Sequence, residues 1–414
     1  MTYSEALEFI HGRHILGTKL GLEGITELLR RLDNPHKKQR FIHIAGTNGK
    51  GSTAAFIANV LTANGFKTGL FISPYINSFT ERMQIDGVCI PENDLAAIAA
   101  EVNNVIDDSI SPTEFEVVTA IGMLYFLHEK CDYVVLEVGL GGRFDATNVI
   151  PPPEVAVITS IALDHTALLG NTVEEIAFEK CGIIKPGSPA AVYPCNPSGA
   201  VALIEKTAAE RGTAVVIPDK REIKIISTDI YDTVFEYRGE RYEIVMPGAH
   251  QVYNAVTAIT ALELLGLDID VKRGLKNTRF GGRMEFVSEK PTVIIDGAHN
   301  QDGAAALKNA IKLYFGGRRV IVIMGMLKDK DYNKAVSEIA PLADLFIAAE
   351  PDGPRFLEAS VLENAAMQYT AKTVSKGDRF EALEYARASA AEDDVIVICG
   401  SLYLLEGFGG AVHN

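Results

Sequence analysis

Residues 41–64 read FIHIAGTNGKGSTAAFIANVLTAN, an apolar run, a glycine-rich turn and a helix-patterned stretch in immediate succession. No other segment restricts the fold as tightly. Phe41, Ile42 and Ile44 suit a buried strand. Gly46, Gly49 and Gly51 let the backbone turn sharply enough for successive N–H groups to face one anion. Lys50 adds a mobile positive charge, and Ser52 offers a hydroxyl for a magnesium ion where the helix presents its positive end. Phe56, Ile57, Val60 and Leu61 share a face and Gly65 follows as a stop, so an amphipathic helix is expected. The spacing departs from GxxxxGK[ST]: Ile44 stands where the first glycine is required, and Gly51 separates Lys50 from Ser52. A strand, phosphate loop and helix of this kind predict an ATP-using α/β protein.

The rest of the composition narrows the class. With 414 residues and 47% hydrophobic content, the chain can build two or three cored domains. No apolar run approaches the roughly 20 residues needed to span a bilayer, and the early Glu5 and Glu8 do not fit a secretory leader. Cys89, Cys131, Cys181, Cys195 and Cys399 are scattered without a CxxC, which argues for a reducing compartment and against disulfides or structural zinc. A cytoplasmic location is expected. The net charge of −15, from 39 basic and 54 acidic residues, leaves no basic footprint for nucleic acid. Anionic metabolites must then be met by local lysines, arginines and helix ends.

Apolar β-type runs at 41–46, 68–73, 133–138, 155–160, 190–193 and 213–217 alternate with helical stretches, the pattern of a parallel sheet covered on both faces. Residues 222–246 alternate and contain an Arg-Gly turn, which predicts an antiparallel appendage. A second α/β series has strands near 292–296, 320–324, 344–349 and 395–399. The polar, glycine-rich stretch 276–290 marks the expected boundary. Two α/β domains, 1–285 and 286–414, with a cleft between them, are predicted.

Several constellations fall at predicted strand ends, where open α/β sheets bind ligands. Glu137 closes the run YVVLEV ahead of a glycine turn and suits a magnesium ligand. GxGxxG fails there, since Phe144 replaces the last glycine. Asp164 and His165 follow strand 155–160, and a neutral imidazole can complete a cation site. Lys180 and Lys185 lie in FEKCGIIKPG. No base lies near Cys181, which disfavours a reactive thiol. His250, Gln251 and Asn254 open an apolar helix and can cap it or meet a base or ribose. Arg283 sits at the boundary, and Asp296-Gly297-Ala298-His299-Asn300 ends the first strand of the second series.

These segments together resemble the folylpolyglutamate synthase/dihydrofolate synthase family of the Mur ligase superfamily over essentially the whole length. The carriers are HIAGTNGKGS (43–52), SPYINSFTERMQIDG (73–87), FEVVTAIGMLYF (115–126), LEVGLGGRFDATNV (136–149), LDHTALLG (163–170), EKCGIIKPG (179–187), GAHQVYNA (248–255), GGRMEF (281–286) and DGAHN (296–300). The resemblance implies a Mur-type P-loop ATPase domain followed by a smaller Rossmann-like domain that serves glutamate ligation. It implies a monomeric ligase that uses ATP and magnesium to add L-glutamate to a folate or dihydropteroate through an acyl phosphate. Thr47, Asn48, Gly49, Lys50, Gly51, Ser52, Asn254, Arg283 and Asp296 would bind ATP. Ser52, Ser73, Glu137 and His165 would hold magnesium. Lys50, Lys180 (as a carbamate) and His299 would serve catalysis, and Pro74, Tyr75, Arg82, Phe115 and Glu116 the folate. Two positions depart from the common pattern: Tyr75 stands where many members carry His, and Phe280 where Trp is common.

Other functions make distinct demands. A Mur-type ligase could act on a different carboxylate, although ERMQIDG and FEVVTA favour folate. A P-loop switch or transport ATPase requires a Walker B strand ending in Asp and hydrolysis without an amino-acid acceptor.

Overall fold

The computed structural model describes residues 1–13 and 21–408. The chain divides into two compact units. The first comprises Met1–Lys224, Phe235–Glu243 and Tyr253–Thr278; the second comprises Ile225–Val234, Ile244–Val252 and Arg279–Asn414.

The first unit is built on an eight-stranded sheet. Its strands are β1 (Phe41–Ala45), β2 (Thr68–Phe71), β3 (Met83–Ile85), β4 (Val88–Cys89), β5 (Tyr133–Glu137), β6 (Val155–Ile158), β7 (Ala190–Val192) and β8 (Val215–Val216), in the order β4-β3-β2-β5-β1-β6-β7-β8. From β2 to β8 the pairings are parallel. Every residue of β1, β2, β5, β6 and β7 is buried, so their sequences are mainly apolar and lack alternation, with Thr68, His43 and Glu137 as buried polar exceptions. β3 and β4 add an antiparallel edge beyond β2. At three and two residues they are too short to announce themselves by alternation.

The helix Lys50–Ala63 differs from its expected amphipathic character. Gly51 through Ala58, Val60 and Leu61 are all buried. The reason is a second cover: the helix packs against β2 and β5 and also against the helix Val271–Asn277. Gly274 of the latter lies so close that an added Cβ would stand 2.4 Å from Cα of Val60.

Three strands, β9 (Ile223–Thr228), β10 (Thr233–Tyr237) and β11 (Glu240–Ile244), form the small separate sheet expected from residues 222–246. Arg238 (φ 51°) and Gly239 (φ 77°) turn β10 into β11, the backbone signature of a tight hairpin.

The second unit carries a six-stranded sheet of β12 (Glu285–Glu289), β13 (Thr292–Asp296), β14 (Val320–Met324), β15 (Leu345–Ala348), β16 (Thr373–Ser375) and β17 (Val395–Cys399), ordered β12-β13-β17-β14-β15-β16. It is parallel except for β12, which runs antiparallel to β13. β12 falls within the stretch 276–290, which the sequence marked only as a polar, glycine-rich boundary. It is an edge strand in which only Val287 is fully buried, so its composition reads as loop. Among the described residues no helix is long and apolar enough to cross a membrane.

Candidate active site

In the first unit, β2, β5, β1 and β6 are adjacent and parallel, so the residues after their carboxyl ends share one edge. That edge collects the phosphate loop, Ser73, Glu137 and the segment leading to His165. The helix Lys50–Ala63 begins at Gly49, whose φ of 85° favours glycine. A Cβ at Gly49 would stand 2.4 Å from Oδ1 of Asn254, so this loop backbone is packed against that buried side chain. The N–H groups of Thr47 and Asn48 donate to the Ser160 carbonyl at 2.6 and 3.3 Å. The Thr47 hydroxyl donates to the carbonyl of Ala162 and accepts from its N–H, both at 3.1 Å. The loop is thereby clamped to the connection between β6 and Asp164.

Two lysines address the loop's carbonyls. Nζ of Lys50 donates to Thr47 at 3.1 Å, and Nζ of Lys180, on the last residue of the helix Val173–Lys180, donates to Gly46 at 2.8 Å. Lys180 is 3% exposed. Lys185 is not part of this group. Its ammonium donates to the carbonyls of Asn148 and Ile150, and burial pushes it down to about 8. Cys181 is inert by environment, its thiol pushed up to about 11 by burial.

Beside the loop, Oε2 of buried Glu137 accepts the N–H of Ser73 at 3.1 Å. The Ser73 hydroxyl accepts in turn from Nη1 of Arg82 at 3.1 Å. The Arg82 guanidinium lies 5.1 Å from the Tyr75 ring centre and 5.4 Å from that of Phe79. Ser73 and Pro74 are joined by a cis peptide bond. Phe115 covers the turn after β5, where a Cβ on Gly139 would stand 2.5 Å from its ring. Glu116 serves its own helix. Its Oε2 accepts the N–H of Thr113 at 2.7 Å and its hydroxyl at 3.0 Å, a capping box that opens the helix Glu114–His128. His165 has a left-handed backbone (φ 48°), and its Nε2 lies 3.9 Å from Asp164. It follows β6, two strands from Glu137 in the sheet.

The donors Ser52, Ser73 and Glu137 are hard oxygens on one sheet edge. Among the described residues no three His, Cys, Asp or Glu side chains converge as a metal cage. Magnesium needs no such cage when it rides on nucleotide phosphates, taking one or two protein oxygens and completing its shell with water. The residues therefore fit a magnesium nucleotide.

In the second unit Asp296, at the end of β13, accepts the N–H groups of Met284 (2.9 Å) and Ala298 (2.8 Å). Arg283 donates to the Gly282 carbonyl at 3.1 Å and lies 5.8 Å from the Phe280 ring, so an aromatic partner survives the Trp-to-Phe departure. His250 is held below its ordinary pKa by burial, with Asp296 raising it and Arg283 lowering it. Nδ1 of His299 meets the Gly297 carbonyl at 2.9 Å. A carbonyl only accepts, so Nδ1 is the donor in this contact. Of the residues expected at the nucleotide, Asn254 belongs to the first unit, and Arg283 and Asp296 to the second.

Sequence reasoning missed two organisers. Asp145 is buried, which pushes its carboxyl up, against bonds from Thr147 and Leu140 that lower it. It accepts the Leu140 N–H at 2.8 Å and the Thr147 N–H at 3.0 Å, closing the glycine turn after β5. Thr147 also meets Nε2 of His43, buried on β1, at 2.9 Å. The second organiser is Glu81, in the loop after β2. An acid followed by Thr two residues on was the available signal for Asp145; nothing local marked Glu81 beyond the Ser78-to-Glu81 capping spacing.

Comparison with known proteins gives this arrangement a lineage. Residues 44–262 match the Mur ligase middle domain and residues 282–402 the Mur ligase glutamate ligase domain. The chain is 36% identical over 423 residues to the dihydrofolate synthase/folylpolyglutamate synthase of Bacillus subtilis, covering 97% of each chain. It is 34% identical over 403 residues to its Escherichia coli counterpart, covering 96% of this chain and 92% of the other. Among solved structures, E. coli FolC in complex with DHPP and ADP matches at 33% identity with a TM-score of 0.87, covering 98% and 96% of the two chains. Folylpolyglutamate synthase of Mycobacterium tuberculosis complexed with ADP matches at 29% identity with a TM-score of 0.89, covering 98% of each. With both domain models matched in order and relatives aligned end to end, this chain belongs to the folylpolyglutamate synthase/dihydrofolate synthase family of Mur ligases.

Proposed function

We propose that this protein is an ATP-dependent ligase that joins L-glutamate to the carboxylate of a folate or dihydropteroate. The carrying observation is the continuity of one sheet edge. The phosphate loop with Lys50 and Lys180 lies beside Glu137, and Glu137 is linked through Ser73 and Arg82 to the aromatic loop 74–82. A phosphoryl donor and a flat aromatic acid can be held there side by side. The relatives carry names of this activity, and a related bifunctional synthase was solved with Mn, AMPPNP and L-glutamate bound, at 32% identity and a TM-score of 0.87.

In this reading an acceptor carboxylate oxygen attacks the γ-phosphorus of ATP and ADP leaves. The glutamate nitrogen then attacks the acyl carbon of the mixed anhydride and phosphate leaves. Positioning and charge neutralisation supply most of the acceleration. The N–H groups of 49–52 and Lys50 hold the phosphates, with Thr47 and Asn48 fixing the path of the loop through their bonds to Ser160. Ser52, Ser73, Glu137 and His165 would hold magnesium, which would neutralise phosphate charge. Lys180, buried against the Gly46 carbonyl, is assigned the carbamate of the site. Pro74, Tyr75, Arg82 and Phe115 serve the acceptor. Glu116 is assigned a supporting place under that wall, given its capping bonds. Asn254, Arg283 and Asp296 serve the nucleotide, and Nε2 of His299 takes the proton released from the glutamate ammonium. The nucleotide half is assigned to 1–285 and the glutamate half to 286–414, acting as a monomer in the cytoplasm.

The test is incubation with magnesium-ATP and L-glutamate plus either dihydropteroate or tetrahydrofolate, with products identified by mass. Addition of one glutamyl residue to both acceptors establishes a bifunctional enzyme, and addition to tetrahydrofolate alone a chain extender. No product on either acceptor refutes the reading.

A further inference from the structure

We infer that Glu81 is a positioning residue for the acceptor: its carboxylate fills an anion nest in the loop 74–82 and fixes the shape of the wall that receives the pteridine-bearing acid. The inference rests on the reading of that loop as the acceptor wall. Three consecutive backbone N–H groups converge on this one side chain. Ile76 donates to Oε2 at 2.8 Å, and Asn77 and Ser78 donate to Oε1, each at 3.0 Å. Successive N–H groups aimed at one point form a cradle that in many proteins binds a phosphate or another anion. Here the anion is supplied from within the chain.

A helix cap alone does not account for this. Glu81 closes a capping box with Ser78 at the start of the short 3-10 turn Phe79–Arg82, and that box needs only the Ser78 N–H. The bonds from Ile76 and Asn77 reach back beyond the cap into the stretch that carries Tyr75. The next residue, Arg82, lies against Tyr75 and Phe79 and reaches Ser73, itself bonded to Glu137. One carboxylate therefore sets the path of residues 76–78, flanked by the two aromatic rings and the guanidinium, next to the phosphate edge. Charge-assisted bonds of this kind are roughly twice as strong as neutral ones, so three of them hold a surface loop against its own entropy.

The test is Glu81→Gln in the full-length enzyme, with separate KM values for the pteroate acceptor, ATP and glutamate. Gln keeps the volume but turns an NH2 group toward donors and must lose at least one bond. The expected result is an acceptor KM raised about tenfold, with kcat within about threefold, the other two KM values within about twofold, and an unchanged Tm. An acceptor KM within about twofold of wild type, or three KM values rising together with a falling Tm, overturns the inference and leaves Glu81 a structural cap. If the Gln variant does not fold, Glu81→Asp, which keeps the charge but shortens the reach, is read by the same criteria. Tyr75→Ala separates the two levels. A raised acceptor KM there with no effect at Glu81 removes only the inference. No effect in either variant removes the reading of 74–82 as the acceptor wall, while ligase activity stands.

Discussion

Nζ of Lys180 donates to the carbonyl oxygen of Gly46 at 2.8 Å, across 134 residues of sequence. The bond brings the end of one helix under the first turn of the phosphate loop and buries a cationic side chain beside the place where a triphosphate is expected. A buried lysine needs a reason, because leaving water disfavours its charged form. Closing the loop and becoming a carbamate are both such reasons.

Lys180→Ala is expected to lower kcat by about a hundredfold or more, the scale of losing an aligned electrostatic group. If the carbamate is the working form, short carboxylates such as acetate restore part of the rate. Steady-state rates with and without added acetate decide this. Normal activity in the variant removes Lys180 from catalysis.

Gly49→Ala tests the cradle. The residue sits at φ 85°, and the new Cβ would stand 2.4 Å from Oδ1 of Asn254. Left-handed backbone costs an L-residue roughly 1–2 kcal/mol before the clash is counted. The KM for ATP is expected to rise by about tenfold or more while the glutamate KM changes little, as read by initial-rate kinetics.

His299→Ala is expected to reduce turnover more than nucleotide binding. The Gly297 carbonyl accepts from Nδ1 and orients the ring, and the proposed role of His299 concerns the amine. Binding of a non-hydrolysable ATP analogue by calorimetry, set against kcat, ranks the two effects. The reverse ranking moves His299 to the nucleotide.

Acidification should destabilise the protein through its buried histidines. His36 is pushed down to about 4 by burial, with Lys37 and Lys185 adding repulsion, and buried His43 lies well below 6.5 for the same first reason. A folded pKa below the unfolded value means that the unfolded chain binds more protons between about 4 and 6.5. Stability therefore rises with pH across that window and is lost as pH falls through it. For His36 the loss amounts to about 3 kcal/mol at most. Urea melts of wild type and His36→Leu between pH 7 and 4.5 should show a shallower slope for the variant; parallel slopes would refute the assignment.

Much of this protein is legible from local pattern. The strand, loop and helix at 41–64 are evident because a phosphate cradle depends on residues adjacent in sequence: an apolar run, glycines at the turn and a lysine at the helix start. The parallel strands are visible because strands covered on both faces lose alternation and become apolar runs. The appended hairpin shows itself through an Arg-Gly turn. What escapes is short or half exposed. β3 and β4 have too few residues for a period, and β12 presents an edge that reads as polar loop.

The sequence alone thus determined the α/β class, the phosphate loop and the family motifs, since each is written in neighbouring residues. Only the tertiary structure decided the partners. It set Lys180 on Gly46 and Lys185 on Asn148 and Ile150, although both lysines lie in one ten-residue motif. It turned Glu116 into a cap and filled the nest at 76–78 with Glu81. It also placed Asn254 beside Gly49, while Arg283 and Asp296 belong to the second unit. The physical reason is that turn chemistry and periodicity act over a few residues. A buried polar group, by contrast, must find its partner wherever sheet order brings one within hydrogen-bond distance.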